Sequence, residues 1–176
     1  MNENLSASEL FFKGVPQTLT LSKQPFRGFE VVSDYEDKDI NLPVRGTKCS
    51  AGYDFEAAEC IKIPSIIESD GKPTMVPTGI KAYMQDGEYL QIHSRSSLCK
   101  LGLYLSNAVA VIDKDYYNNE NNQGHIFVPL TNLSSKSIYI KKGERIAQGI
   151  FQRYALADQD TVLNDERTGG FGSTSK

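Results

Sequence analysis

The sequence has few of the features that mark membrane, secreted or nucleic-acid-binding proteins. No apolar run is long enough to cross a bilayer, and the N-terminus lacks the basic start and long apolar stretch of a secretory signal. The 19 lysines and arginines are outnumbered by 22 acidic residues, which indicates no DNA-binding surface. A small phosphorylated ligand stays possible, because a few arginines and backbone N–H groups bind one without an overall basic charge.

Cysteine is also scarce. Cys49, Cys60 and Cys99 are odd in number and have no metal-like spacing. They predict three reduced thiols in a cytoplasmic protein rather than a disulfide framework or a zinc site.

The remaining composition predicts one folded domain with two distinct ends. A length of 176 residues suits a single domain, and 39% hydrophobic residues are enough for a packed core. Residues 1–25 are predicted to be an N-terminal extension and residues 26–157 the folded domain. Residues 158–176 end in a glycine-rich stretch that cannot bury a core, so they are predicted to be a flexible C-terminal arm.

Most of the domain has the sequence pattern of short β-strands. Segments rich in valine, isoleucine, tyrosine and phenylalanine are bounded by glycine, proline, asparagine and aspartate. The good helix candidate within the domain is a turn or two at residues 96–101. The pattern predicts an all-β sandwich or barrel with little helix, with strands at residues 28–33, 61–67, 74–83, 88–94, 124–132, 137–140 and 145–154.

Two segments place polar side chains at the end of a predicted strand. Residues 94–97 (Ser-Arg-Ser-Ser) open the candidate helix, where backbone N–H groups and hydroxyls either bind an anion or simply cap the helix. Residues 111–116 (Val-Ile-Asp-Lys-Asp-Tyr) end an apolar run with two carboxylates, and in a strand Asp113 and Asp115 would share one face. An ordinary polar turn is the alternative for this second segment.

Four further features carry chemistry only in combination. Residues 143–148 lead from a turn into a strand that bears an arginine and Gln148. Asp54 lies between two aromatic residues. The side-chain amide of Asn107 could hydrogen-bond to the edge of a base. The arm combines one arginine and one phenylalanine with hydroxyls among glycines. Taken singly, these features are explained as well by a solvated pair, a structural hydrogen bond or a linker.

In order and spacing, these segments resemble the five motifs of the trimeric dUTPase family. The resemblance runs from Ala51 to Lys176, and five motifs in order are far more specific than any one of them. The matching segments are 51–54 (Ala-Gly-Tyr-Asp), 94–97, 107–116, 143–148 (Gly-Glu-Arg-Ile-Ala-Gln) and 167–174 (Arg-Thr-Gly-Gly-Phe-Gly-Ser-Thr).

The resemblance implies a distorted jelly-roll, or β-clip, subunit and a homotrimer in which three chains build each active site. It implies a Mg²⁺-dependent hydrolase that converts dUTP to dUMP and pyrophosphate by water attack at the α-phosphorus. Such an enzyme limits uracil incorporation into DNA and supplies dUMP for thymidylate synthesis. A bacterial or phage-encoded protein of the cytoplasm fits this role, and a regulatory protein partner is left open.

The same resemblance implies roles for individual residues. Asp113 is expected to deprotonate the attacking water, Asp54 to hold Mg²⁺ through water, and Tyr116 to pack under the deoxyribose. The other expected substrate contacts are Asn107, Val111, Ile112 and Phe127 in the base hairpin and its returning strand, Arg95, Ser96, Ser97 and Gln148 at the phosphates, and Arg167, Phe171, Gly172, Ser173 and Thr174 in the arm.

The chain departs from the family pattern after Tyr116. Residues 117–123 are extra where the family has a tighter turn, and they are predicted to bulge outward from the hairpin tip. His125 is predicted to be a surface residue of this hairpin rather than a catalytic base. Ala110 replaces a usual glycine, and the fifth motif is one residue shorter before Phe171.

Two other functions compete with this one. A dCTP deaminase shares the fold, but its strand motif ends in Thr-Leu-Glu with the glutamate as proton shuttle, whereas residues 127–132 read Phe-Val-Pro-Leu-Thr-Asn. A binding module of this fold is the non-enzymatic alternative, but a pure binder has no need of Asp113, Tyr116 and Phe171 together. Both comparisons favour the hydrolase.

Overall fold

A computed structural model describes residues 26–162 of the chain. Within that range the chain forms twelve β-strands and one short helix, so the predicted all-β class is confirmed. No helix in that range is long and apolar enough to cross a membrane. Predictions for residues 1–25 and 163–176 lie outside the described residues.

The elements are β1 (Gly28–Val31), β2 (Val44–Arg45), β3 (Tyr53–Glu56), β4 (Ile61–Ile63), β5 (Thr74–Pro77), β6 (Ile80–Tyr83), β7 (Glu88–Ser94), α1 (Ser96–Lys100), β8 (Leu103–Leu105), β9 (Val109–Asp113), β10 (Phe127–Asn132), β11 (Ile138–Ile140) and β12 (Arg145–Arg153).

A five-stranded antiparallel sheet of order β2-β3-β12-β7-β9 positions the site. Along β7, residues buried from solvent alternate with half-buried ones, which is the period-two pattern of a strand with one face on a core. Smaller sheets of order β1-β6, β5-β10-β8 and β11-β4 complete the fold. None of these sheets closes on itself within residues 26–162, so the barrel alternative is wrong.

One hydrophobic core holds the sheets together. Phe55 on β3, Leu90 and Ile92 on β7 and Ile146 on β12 are each at most 1% exposed. Burying a large apolar side chain contributes about 1.5–3 kcal/mol to folding. Gly149 on β12 packs directly against this core, because a Cβ there would lie 2.7 Å from Phe55 Cε2. The close approach of β12 to β3 therefore requires a glycine.

Several predicted strands are shorter than expected, and two of them differ most. The segment 74–83 divides into β5 and β6 because the chain turns at Thr78 and Gly79, where Gly79 has φ +70°. The segment 61–67 is a strand only to Ile63. The sequence pattern also misses β2, β3, β8 and β9, which are two to five residues long. These short strands have too few alternating residues to stand out from the neighbouring turns.

Candidate active site

A polar cleft lies beside α1 at one end of β7. The strand register places Asp54 on β3 opposite Gln148 on β12, and Gln148 opposite His93 on β7. Arg95 follows β7 directly and so reaches the same place. The cleft is lined by Gly46, Ser50, Gly52, Asp54, Arg95, Ser96, Arg145 and Gln148.

Asp54 is ion-paired with two arginines in this cleft. Its Oδ1 lies 2.9 Å from Arg95 Nε and its Oδ2 lies 3.2 Å from Arg145 Nη1, and its side chain is only 14% exposed. Two guanidinium groups against one carboxylate leave a positive charge, and each guanidinium has five N–H donors to share. The cleft is therefore suited to an anion such as a phosphate chain.

Arg145 is a cleft residue to which sequence reasoning gave no role. It belongs to the segment 143–148 that was singled out for Gln148, so the signal was present in the motif itself. Its side-chain position depends on an irregularity in β12, because the pairing with β3 shifts register between Arg145 and Ala147. Such bulges re-aim side chains next to binding sites and have no clear sequence pattern.

The serines after β7 do not cap α1. The N-cap residue is Arg95, without a side-chain cap hydrogen bond, while Ser94 Oγ accepts the backbone N–H of Leu105 at 3.2 Å. Ser96 lines the cleft, and Ser97 is exposed in the first turn of the helix. The capping alternative is therefore not realised, and Ser96 and Ser97 are both exposed beside Arg95.

Asp113, the expected base, is the last residue of the edge strand β9. β9 pairs with β7 on one side, and among the described residues no strand pairs with its other side. The backbone N–H and C=O groups along such an edge can read the edge of a base. Val111 is exposed, Ile112 and Asp113 are half-buried, and Asn107 lies in the turn before the strand.

Asp113 and Asp115 are not equivalent. The strand ends at Asp113 and a 3-10 turn follows at Lys114–Tyr116, so the shared face that a continued strand would give them is absent. Asp113 is half-buried whereas Asp115 is exposed. Asp113 is therefore the more sheltered of the two carboxylates.

The Asp113 strand and the arginine cleft lie far apart within one chain. Asp113 is opposite Tyr89 near the start of β7, whereas Gln148 in the cleft is opposite His93. Four residues of strand span ~13 Å, and the three strand spacings from β9 to β3 add ~14 Å across the sheet. Within one chain, Asp113 and the cleft therefore do not form one continuous site.

His125 is buried, at 7% exposure, and the prediction that it lies on the surface is wrong. Its Nε2 accepts the backbone N–H of Gly79 at 2.9 Å, and its ring packs against Tyr35 and Phe127. A lone histidine in a polar segment gives no sign of a partner 46 residues away. The contact brings Phe127, an expected base-pocket residue, next to the hairpin.

Burial lowers the pKa of His125 from 6.5 to about 4. The unfolded chain therefore binds a proton below pH 6.5 that the native chain does not accept until about pH 4. Stability is full above pH 6.5, and we expect it to fall below that value by at most about 1.4 kcal/mol per pH unit. Urea unfolding between pH 7.5 and 5 measures this slope, and His125→Gln should flatten it. Equal slopes in both proteins would contradict the assignment.

Residues 117–123, the asparagine-rich insert, fold back onto the domain, so the predicted outward bulge is also wrong. Asn119 is only 7% exposed. Gln123 bonds to Ser33, with its Nε2 2.7 Å from Ser33 Oγ and its Oε1 3.1 Å from Ser33 N. Asparagine-rich composition predicts a solvated turn, but here the amides satisfy one another and the neighbouring backbone.

The described side chains do not form a complete set of ligands for a metal ion. Residues 26–162 contain no group of three histidine, cysteine or acidic side chains that could hold one. A carboxylate has about four acceptor positions, and Asp54 uses two of them for its arginines. The others fit a hydrogen bond from a metal-bound water, which is the expected outer-sphere role, but not direct coordination by the protein alone.

The arm residues Arg167, Phe171, Gly172, Ser173 and Thr174 lie outside the described residues. Their expected contacts with the base and the γ-phosphate stay predictions.

A family model, a curated relative and a solved structure that resemble the chain all belong to one family. The dUTPase family model matches residues 38–175. The chain is 51% identical over 150 residues to the deoxyuridine 5'-triphosphate nucleotidohydrolase of Lactococcus lactis, covering 84% of this chain and 97% of that relative. The crystal structure of dUTPase from Streptococcus mutans matches with a TM-score of 0.68 and 47% identity, over 74% of this chain and 98% of that one.

A more distant solved structure shares the fold alone. A mutant dUTPase from phage phi11 of S. aureus has a TM-score of 0.59 and 15% identity, over 80% of this chain and 99% of that one. That protein coordinates a structural Mg(II) ion.

Proposed function

The chain belongs to the dUTPase family, whose members hydrolyse dUTP to dUMP, and we propose that Asp113 is the general base of this reaction. Its half-buried position at the end of an edge strand supports the proposal. Water is a weak nucleophile at neutral pH, so removing its proton during attack on the α-phosphorus lowers the barrier. The electron pair of the broken P–O bond leaves with pyrophosphate.

The uracil is proposed to lie along β9, with Asn107, Val111, Ile112 and Phe127 around it. The backbone groups of an edge strand can match the donors and acceptors of uracil, whereas the amine of cytosine would leave polar groups unpaired. A slot closed beside position 5 of the ring excludes the methyl group of dTTP. Tyr116 is proposed to pack under the deoxyribose, where a 2′-hydroxyl would collide with it.

The phosphates are proposed to occupy the polar cleft. Arg95 and Arg145 carry the positive charge, and Asp54 holds both guanidinium groups in fixed orientations. Preorganised charge of this kind stabilises an anion without reorganisation when it binds. Ser96, Ser97 and Gln148 are proposed to supply the neutral donors.

The complete site is proposed to need more than one copy of the chain. The single observation that carries this is the separation of Asp113 from the cleft across the five-stranded sheet. A homotrimer with closed cyclic symmetry would bring the cleft of one copy to the β9 edge of the next, three times over. Arg167, Phe171, Gly172, Ser173 and Thr174 of a third copy are proposed to complete each site.

Mg²⁺ is proposed to bind the triphosphate and offset its charge. Asp54 is the residue proposed to receive a hydrogen bond from a water of that ion. The spare acceptor positions of its carboxylate support this role.

Gly52→Ala should lower kcat/KM for dUTP by about three- to tenfold, the value of one or two hydrogen bonds. A Cβ at Gly52 would lie 2.7 Å from Gln148 Oε1 and 3.2 Å from Gln148 Cβ, so the Gln148 side chain must move. Gly46→Ala is the matched control in the same cleft, because its Cβ meets only Ser50 Oγ at 3.9 Å. Steady-state kinetics measures kcat/KM for dUTP in both variants. An equal loss of kcat/KM in Gly46→Ala would contradict the assignment of Gln148 to the phosphate site.

Incubation with Mg²⁺ and each of dUTP, dTTP, dCTP and UTP tests the proposed function as a whole. Pyrophosphate release from dUTP alone is the expected result. Ammonia release from dCTP would instead indicate the deaminase chemistry of the same fold. Tight dUTP binding without any turnover would favour the binding module.

A further inference from the structure

The asparagine-rich insert forms a hydrogen-bonded cradle around Tyr116. Asn119 Nδ2 donates to the backbone O of Tyr116 at 2.8 Å and to Asn122 Oδ1 at 2.8 Å. Asn119 Oδ1 accepts the backbone N–H groups of Asn121 and Asn122 at 3.1 and 3.2 Å. The insert is thus a folded element whose inner side faces the tyrosine.

The hydroxyl of Tyr116 is held from two sides. It donates to the backbone O of His125 at 2.9 Å and accepts from Asn122 Nδ2 at 2.7 Å. Tyr116 as a whole is 5% exposed. A tyrosine that is buried and whose backbone and hydroxyl are both hydrogen-bonded is held in one position, so its ring cannot shift freely.

The insert is itself anchored to the domain. Tyr117 Oη donates to Glu30 Oε2 at 2.6 Å, and Lys81 Nζ donates to Asn118 Oδ1 at 2.7 Å. Gly124 closes it in a left-handed conformation, φ +82°, where a Cβ would lie 2.6 Å from Tyr116 O. These contacts tie the Tyr116 cradle to β1 and β6 rather than to solvent.

We propose that Asn122 is a positioning residue that sets the discrimination between dUTP and UTP by fixing the hydroxyl, and hence the ring, of Tyr116. The proposal rests on the proposed sugar contact of Tyr116. A 2′-hydroxyl is rejected only if the ring beneath the sugar cannot retreat. Asn122 supplies one of the two bonds that prevent the retreat, and Asn119 fixes Asn122 in turn.

The test compares the ratio of kcat/KM for dUTP to that for UTP in four proteins: wild type, Asn122→Ala, Tyr116→Phe and the double variant. Losing one hydrogen bond to the hydroxyl should lower the ratio by about two- to tenfold in Asn122→Ala. Tyr116→Phe removes both bonds of the hydroxyl and should lower the ratio at least as much. This conservative variant provides the test if Asn122→Ala does not fold. Because Tyr116→Phe already removes the bond that Asn122 makes to the hydroxyl, the double variant should show no larger fall than Tyr116→Phe alone.

Glu120→Ala is the matched control, an exposed residue of the same insert. It should leave the ratio unchanged. An unchanged ratio in both Asn122→Ala and Tyr116→Phe, with unfolding midpoints near that of wild type, would overturn the proposal. So would losses that add fully in the double variant. A wild-type protein that hydrolyses dUTP and UTP equally would instead overturn the sugar contact of Tyr116 on which the proposal rests.

Discussion

Replacing Asp113 with asparagine should lower kcat for dUTP by about 10²–10⁴-fold, the usual contribution of a general base. Asparagine has nearly the same shape, so the edge strand and the base slot should survive and KM should change little. A fall in kcat with unchanged KM is the signature of an interaction made mainly in the transition state. Steady-state kinetics with pyrophosphate detection measures both constants.

Asp115→Asn is the matched control for this experiment. Asp115 carries the same carboxylate two residues later, but it is exposed in the 3-10 turn after β9. It should keep wild-type kcat within a fewfold. Similar losses in both variants would point to the fold of the turn rather than to a base, and near-normal turnover of Asp113→Asn would remove Asp113 from the role.

Replacing Arg95 with alanine should lower kcat/KM for dUTP by about 10–150-fold. A charge-assisted hydrogen bond is worth about 1.5–3 kcal/mol, and each 1.4 kcal/mol is tenfold. The fold of the cleft should survive, because Asp54 keeps its partner Arg145 at 3.2 Å. Arg95→Lys should recover only part of the loss, since lysine keeps the charge but not the planar fork.

Arg153→Ala is the control for general charge effects. Arg153 ends β12, the strand that also bears Gln148, but its side chain is 83% exposed and it does not line the cleft. It should retain wild-type kcat/KM at physiological salt, where surface charges are screened. A comparable loss in Arg153→Ala would mean that net charge, not the cleft, governs nucleotide binding.

The five motif segments could be found from sequence because each is local. The Ser-Arg-Ser-Ser run, the Val-Ile-Asp run and the strand at residues 88–94 lie within a few residues of the turns and alternation that mark them. Strand alternation in β7 is confirmed by its burial pattern. The strands and turns follow from period-two patterning and turn chemistry, whereas the assignment of the five motifs rests on the family resemblance.

The contacts between segments could not be found in this way. The pairing of Asp54 with Arg95 and Arg145 joins residues 41 and 91 positions apart, and it depends on the register of β3, β12 and β7. That register is set by tertiary packing. The separation of Asp113 from the cleft follows from the same register, so sequence patterning alone does not show how far apart these groups lie in one chain.

The hairpin after Tyr116 was misjudged for a different reason. Asparagine, glutamine and histidine are usually exposed, so a segment rich in them reads as a solvated turn. Here Asn119 and His125 are each 7% exposed, and both are paired with backbone groups. Burying a polar group is tolerated when its hydrogen bonds are made. Composition gives the number of such groups but not their partners.

A mixing experiment tests most directly whether the active site is shared between chains. Asp113→Asn and Arg95→Ala chains, each expected to lose at least about tenfold in kcat/KM alone, are unfolded together in urea and refolded as a mixture. In a shared site the Arg95→Ala chain supplies Asp113 and the Asp113→Asn chain supplies Arg95, so about a quarter of the sites regain both groups. The account predicts recovery of about a quarter of wild-type activity. Activity no greater than the mean of the two separate variants, in mixed assemblies of native size, would contradict it.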